Sequence, residues 1–370
     1  MDCKIIRQKI LNQFLILTIA YFRSHFAGFH FFKTDAFISV LDRGLLIIVG
    51  GLLLFSPWAP KNLQIEWFIW IQTFCYGTTL IVGFILLIKH LKRPYFSWDP
   101  AFSIELIKKS WPYALLIVLM LLYTRVDGVM LERMLINGAY ESGVYAQGFR
   151  LLDALYMFGM IFAGLLFPLF SKQLKESIPA VLELVKTSAN LLLSGVVIII
   201  FVTCYNSSYI LGLIYSDYLE AIEPFQFLML GFFPICMNFI FGTLLTANGN
   251  LRVLNFISLG GIIANVCINL ILIPSHGALG AAIATFFTQL VTAILQYFYC
   301  VVKFKIPIKI IGFLKFAVLI VGLFGVSHYF NNSDYLILLQ LIVGFFLTFT
   351  LSLIDLSSMK ELYFSSRRIK

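Results

Sequence analysis

Charge is what this chain of 370 residues has least of. Asp, Glu, Lys and Arg together make up 12% of it, about half the share usual in a soluble protein. Catalytic signatures are missing as well. There is no Gly-rich phosphate loop followed by Lys-Ser/Thr, no His-Glu-x-x-His and no Gly-x-Ser-x-Gly, which removes the common nucleotide-hydrolysing, zinc-peptidase and serine-hydrolase readings. The six cysteines (Cys3, Cys75, Cys204, Cys236, Cys267, Cys300) include no Cys-x-x-Cys pair and sit in or beside apolar runs, so they read as small packing residues rather than metal ligands or a disulfide frame. The five histidines (His25, His30, His90, His276, His328) are isolated from one another. No metal site and no cofactor is expected. A cleavable leader is also not evident, because the first apolar stretch runs into Arg23 and His25 without an Ala-x-Ala-like site.

Apolar residues are what the chain has instead: 60% of it is hydrophobic and 16% aromatic, with a mean hydropathy of +0.93. They come in runs of roughly 20 residues, the length a helix needs to cross a bilayer core about 30 Å thick. Length and flanking charge predict about eleven spans. These lie near 9–30, 37–57, 66–89, 109–135, 142–171, 181–204, 222–248, 252–273, 278–301, 309–329 and 334–355. The first is the weakest, since Arg23, Ser24 and His25 interrupt it. The fold class is therefore all-α, a polytopic membrane helical bundle. The net charge of +9 fits basic loops under anionic headgroups and does not imply nucleic acid.

The loops set an orientation. Connections around 23–36, 89–109, 172–186, 249–252 and 302–309, with the tail after Leu356, hold most of the basic residues, among them Lys33, Lys89, Lys92, Arg93, Lys108, Lys109, Lys172, Lys175, Lys186, Arg252, Lys303, Lys305 and Lys309, and in the tail Lys360, Arg367, Arg368 and Lys370. The opposite loops hold Lys61 and the acids Glu141, Asp217, Glu220, Glu223 and Asp334. The positive-inside bias places the C-terminus in the cytoplasm. Eleven spans would then put the N-terminus outside, against the basic Lys4, Arg7 and Lys9, so either the first segment does not cross or an odd number of leading spans is missing. The largest opposite-side loop, around 205–222, is too short for a catalytic domain.

Function must then reside in polar groups within the spans, where an ionisable side chain costs about 2.5–3.5 kcal/mol at mid-helix and turns to a partner or a wet cavity. They are Asp42 and Arg43, Arg125 and Asp127, Glu132 and Arg133, Arg150 and Asp153, Glu183, and Lys315. Arg150 and Asp153 stand at i, i+3 on one helical face, so the spacing predicts a direct pair. Acid–base pairs could simply seal a helix interface; arginines in three different spans could instead line a cationic lumen. Two later spans carry uncharged stripes: Asn255, Ser258, Asn265 and Asn269, then Thr285, Gln289, Thr292 and Gln296. Each suits interhelical hydrogen bonding or a lumen wall. Gly277, Gly280, Ala281 and Ala284 predict close helix packing.

Two stretches resemble the polysaccharide repeat-unit flippases of the multidrug/oligosaccharidyl-lipid/polysaccharide exporter superfamily. In residues 123–172 these are Asp127, a turn with Gly143, Tyr145 and Ala146, then Arg150 with Asp153, and Phe167 with Pro168. In residues 246–289 they are a short basic turn, an Asn-rich helix, an Ile-Pro end, and a Gly-Ala-rich start. The resemblance implies two lobes of six helices, usually with two extra helices. By that pattern residues 1–102 correspond to the last three helices of an N-terminal lobe, 103–303 to a six-helix C-terminal lobe, and 304–370 to two additional helices and a basic cytoplasmic tail. The first lobe is then incomplete by about three helices, an odd number that also accounts for the basic N-terminus. The tetrapeptides FISV (37–40) and FISL (256–259) fit an internal repeat.

What the resemblance implies is a non-enzymatic, multi-pass protein of the bacterial inner membrane. It would flip a polyprenyl-pyrophosphate-linked oligosaccharide, among membrane lipids, for lipopolysaccharide or surface polysaccharide synthesis, with a polysaccharide polymerase and assembly proteins as further partners. Candidate cavity residues are Arg43, Arg125 and Arg150 for the anion, Asp127 and Asp153 beside them, and Asn265, Asn269 and Gln289 for sugar hydroxyls. The alternatives are a cation-coupled multidrug exporter of the same superfamily, a membrane polysaccharide polymerase, and an inactive truncated fragment.

Overall fold

A computed structural model describes residues 3–29, 31–55, 65–90, 99–307, 310–330 and 335–353. Lys61, Lys92, Arg93, Lys309, Asp334, His30 and the tail basic residues lie outside the described residues, as do the side chains of Cys3, Lys4 and His90. Among the described residues every regular element is a helix: α1 Cys3–Gly28, α2 Phe32–Phe55, α3 Ile65–His90, α4 Pro100–Met134, α5 Gly138–Glu176, α6 Ile178–Tyr205, α7 Ser207–Ile214, α8 Ile222–Ala247, α9 Leu251–Phe304, α10 Ile310–Tyr329 and α11 Leu336–Thr350. Helices are what lipid permits, because each backbone N–H and C=O is then satisfied within its own segment. Seven helices among the described residues are long and apolar enough to cross a membrane. The set leaves out α1, which carries Arg7, Lys9 and Arg23.

A helix covers each expected span with shifted ends, but α10 and α11, like α1, are not among the seven of membrane-crossing length and hydropathy. The largest shifts are at the starts of α4 and α1, which begin at Pro100 and Cys3 against the expected 109 and 9. The region 205–222 contains the short α7 and a single 3₁₀ turn, Leu219–Ala221.

At 54 residues, α9 would be about 80 Å long if straight, more than twice a bilayer core. It is not straight. Gly277 has φ 52° and ψ −129°, a non-helical break, and the chain folds back there. A Cβ on Gly280 would sit 2.5 Å from the Leu272 carbonyl oxygen, and the methyls of Thr288 and Thr292 lie over Gly261. These pairs are nearly equidistant from the break, as they are in an antiparallel hairpin. The segment therefore supplies the two expected spans 252–273 and 278–301, and its small residues serve close packing: Ala281 and Ala284 are fully buried.

The described residues form two compact units, Met1–Pro100 and Ala101–Lys370. In the first, α1 packs on α3 and α2 through Ile19, Phe26, Ile38 and Tyr76. Buried Asn12 accepts from Thr73 Oγ1 (2.7 Å) and donates to the Ile69 carbonyl (3.4 Å). In the second, α8 is the hub, packed against α5, α6 and α9, with Phe225, Leu228, Met229, Ile240 and Leu244 wholly buried. The pair α10 and α11 rests on α6. It is pinned by buried Gln340, which accepts from Asn206 Nδ2 and donates to Ser327 Oγ, both at 2.8 Å. Many outward side chains of both units are large and apolar, as lipid-facing surfaces are.

Candidate functional site

The turn at 135–137 between α4 and α5 and the break at Gly277 bring four residues to one level of the second unit. Asp127 lies seven residues before the end of α4, Tyr145 seven after the start of α5, and Asn269 and Thr285 eight to either side of Gly277. Asp127 is wholly buried. Its Oδ1 accepts from Asn269 Nδ2 at 2.5 Å, and its Oδ2 accepts from the Tyr145 hydroxyl at 3.1 Å and from Thr285 Oγ1. Asn269 Nδ2 also donates to Asn265 Oδ1 at 3.0 Å. No cation pairs with Asp127 among the described residues. A buried carboxylate facing no cation has its charge met by hydrogen-bond donors such as these three, by a proton or by a bound cation. One carboxylate among amide and hydroxyl oxygens suits a proton or a monovalent cation. No group of three or more His, Cys, Asp or Glu suited to a metal occurs among the described residues.

A second polar layer lies further along the hairpin. Asn238 of α8 donates through Nδ2 to Gln289 Oε1 (3.1 Å) and Thr292 Oγ1 (3.2 Å). Asn265, Asn269, Gln289 and Gln296 are all at most 7% exposed. The structure places Asn265, Asn269 and Gln289 inside the helix packing, where their amides bond to neighbouring polar side chains. The reason is the hairpin, which turns both stripes toward each other and toward α4, α5 and α8. Packing is incomplete in polar terms, since Asn265 Nδ2, Asn269 Oδ1, Asn238 Oδ1 and Thr288 Oγ1 are buried without a protein partner.

Charge is found on the outside of this seam. Arg125 Nη2 reaches both oxygens of Asp153, at 3.0 and 3.3 Å, with the two side chains 59% and 40% exposed. The guanidinium lies over the Phe149 ring, 5.0 Å from its centroid. Phe149 in turn stacks on Tyr145, centroids 5.4 Å apart. The expected Arg150–Asp153 pair is therefore corrected: Asp153 is turned across to α4, where an arginine over an aromatic ring presents a fixed partner. Arg150 is exposed and makes no ion pair or side-chain hydrogen bond among the described residues. It lines a cavity of about 380 Å³ with Tyr140, Gln147, Tyr215, Asp217 and Glu220. Arg43 belongs to the first unit, with its side chain 72% exposed and Nε 3.9 Å from Asp42 Oδ2.

Sequence reasoning missed three participants. Phe149 carried no signal among so many aromatics. Asn238, an amide within a largely apolar span, did carry one. Glu141 was read only as loop charge, yet its Oε2 accepts from the Ala278 N–H at 2.8 Å, capping the returning half of α9 from another helix.

Residues 5–174 match the family model described as "Polysaccharide biosynthesis protein". No curated protein matches the chain in sequence. Among solved structures the chain is similar to "Lipid II flippase MurJ, inward closed conformation", with a TM-score of 0.70 and 15% identity over 94% of this chain and 73% of that one. The family match covers under half of the chain, and the likeness to the flippase structure, at 15% identity, is one of fold.

Proposed function

We propose that this chain translocates a lipid-linked oligosaccharide repeat unit across the bacterial inner membrane for lipopolysaccharide or surface polysaccharide synthesis. It does so as a transporter and not as an enzyme. The observation that carries the reading is the Arg125–Asp153 pair, exposed on two membrane-length helices. Facing lipid, such charges would cost about 2.5–3.5 kcal/mol each; facing a wet route, they offer a cation where a pyrophosphate group must cross. The polyprenyl tail needs no such help, since it stays in hydrocarbon. Residues 1–102 act as the last three helices of an N-terminal lobe, 103–303 as the C-terminal lobe, and 304–370 as the added pair and cytoplasmic tail. Arg43, Arg125 and Arg150 serve the anion, and a polymerase takes up the flipped unit. Asn265, Asn269 and Gln289 act behind the wall of the route, setting its shape, while Asp127 supplies a carboxylate there.

Proteoliposomes holding the purified chain and a fluorescent polyprenyl-pyrophosphate disaccharide test this. Lipid-linked sugar should become accessible to an external quencher or glycosidase in both leaflets. Arg125→Ala should slow that transfer at least tenfold, while Lys175→Ala in a solvated loop leaves it unchanged. Transfer no faster than in protein-free vesicles would overturn the reading.

A further inference from the structure

We propose that Asp153 is an exchangeable counter-ion, holding Arg125 when the route is empty and passing to Arg150 when a phosphate anion occupies Arg125. The identity of that anion as a carrier pyrophosphate rests on the flippase reading; the exchange rests on the geometry.

On α4 and α5 two cations and one carboxylate stand close together, with Asp217 and Glu220 also lining the cavity beside Arg150. Asp153 satisfies one of the two cations, and by a partial grip: both of its oxygens are served by the single nitrogen Nη2. The paired-nitrogen fork that makes Arg–carboxylate contacts strong is not used. Arg125 Nε and Nη1 have no hydrogen-bond partner among the described residues, and the guanidinium plane is held from one side by Phe149. A phosphate can therefore meet the free Nε–H or Nη1–H of Arg125 at once, and the full two-nitrogen fork when Asp153 leaves Nη2. Pairs this exposed are weak, so an incoming dianion competes on favourable terms.

The displaced carboxylate has a second partner within reach. Arg150 lies three residues earlier on α5, the spacing at which helical side chains are neighbours, and it is exposed. A rotamer change of Asp153 with extension of Arg150 makes the second pair, and no backbone motion is required. If Asp153 stayed at Arg125 it would repel the anion; held by Arg150 it does not. When the anion leaves, the carboxylate returns and competes against rebinding, so the cation site does not trap its cargo.

A purely structural pair and an exchangeable one predict opposite signs. Undecaprenyl pyrophosphate binding to the purified chain in detergent is measured by native mass spectrometry for wild type, Asp153→Asn, Arg150→Gln and the double variant, each checked for monodispersity. Asp153→Asn should tighten binding roughly fivefold, and Asp153→Ser, which also removes the charge, should do the same. Arg150→Gln should weaken binding severalfold, because the carboxylate then has no second partner. In the Asp153→Asn background Arg150→Gln should cost markedly less than it does in wild type, because the part of its effect that runs through the carboxylate is already gone. Unchanged or weaker binding in both Asp153 variants would overturn the exchange and leave the flippase reading standing. Inorganic pyrophosphate, competing in the same order across the variants, supports recognition of the phosphate group itself. Phosphatidylglycerol giving that order with no preference for the carrier would keep the exchange but assign it to bilayer phosphate. No binding of any of these phosphates to wild type or Asp153→Asn would remove the exchange and the anion reading together.

Discussion

Replacing Gly277 with alanine should destabilise the protein by about 3–5 kcal/mol, and the cost should depend on Glu141. The backbone at φ 52° and ψ −129° is a conformation that L-residues rarely adopt, worth about 1–3 kcal/mol of strain. A Cβ there would also overlap the Glu141 carboxylate. The carboxylate must then swing away from the Ala278 N–H it holds at 2.8 Å, and a hydrogen bond to a charged group contributes about 1.5–3 kcal/mol. Glu141→Ala alone should cost that second amount only. Because alanine at 277 already breaks the bond, adding Glu141→Ala to Gly277→Ala should change stability by less than about 0.5 kcal/mol, a departure from additivity expected only of residues in contact. Pulse proteolysis along a titration from mild detergent into dodecyl sulfate gives the four free energies. Additive single effects, or a Gly277→Ala protein as stable as wild type, would refute the capped-hairpin account.

Asp127→Leu strands Asn269, Thr285 and Tyr145 together and should lower stability by about 2 kcal/mol or more on the same titration, at about 0.6–1.7 kcal/mol per membrane hydrogen bond. Asp127→Asn keeps the shape without the charge; it should express normally yet fail to restore surface polysaccharide to a strain lacking its flippase, and full restoration would show that the charge is dispensable. Lys175→Cys and Glu220→Cys report orientation: an impermeant thiol reagent on intact cells should label position 220 and not 175, and the reverse would invert the proposed topology.

The helices themselves were legible in the sequence. In lipid each segment must satisfy its own backbone, so length and hydropathy determine where helices run. The break near Gly277 was legible too, through Pro274 and the glycines that follow. The basic and acidic loops could be read without any structure, and so could the resemblance carried by Asp127, Tyr145, Arg150 and Asp153. Partner choice could not. The i, i+3 spacing favoured Arg150 for Asp153, but spacing sees only one helix. Arg125 prevails because α4 lies beside α5 and Phe149 seats its guanidinium. The two amide stripes likewise fitted a lumen or an interface equally well on periodicity alone. Their actual hydrogen bonds follow from the fold-back of α9, which sets Asn269 and Thr285 on the same buried carboxylate. Periodicity is a property of one segment, whereas burial and pairing depend on which segments become neighbours, and that depends on the tertiary structure.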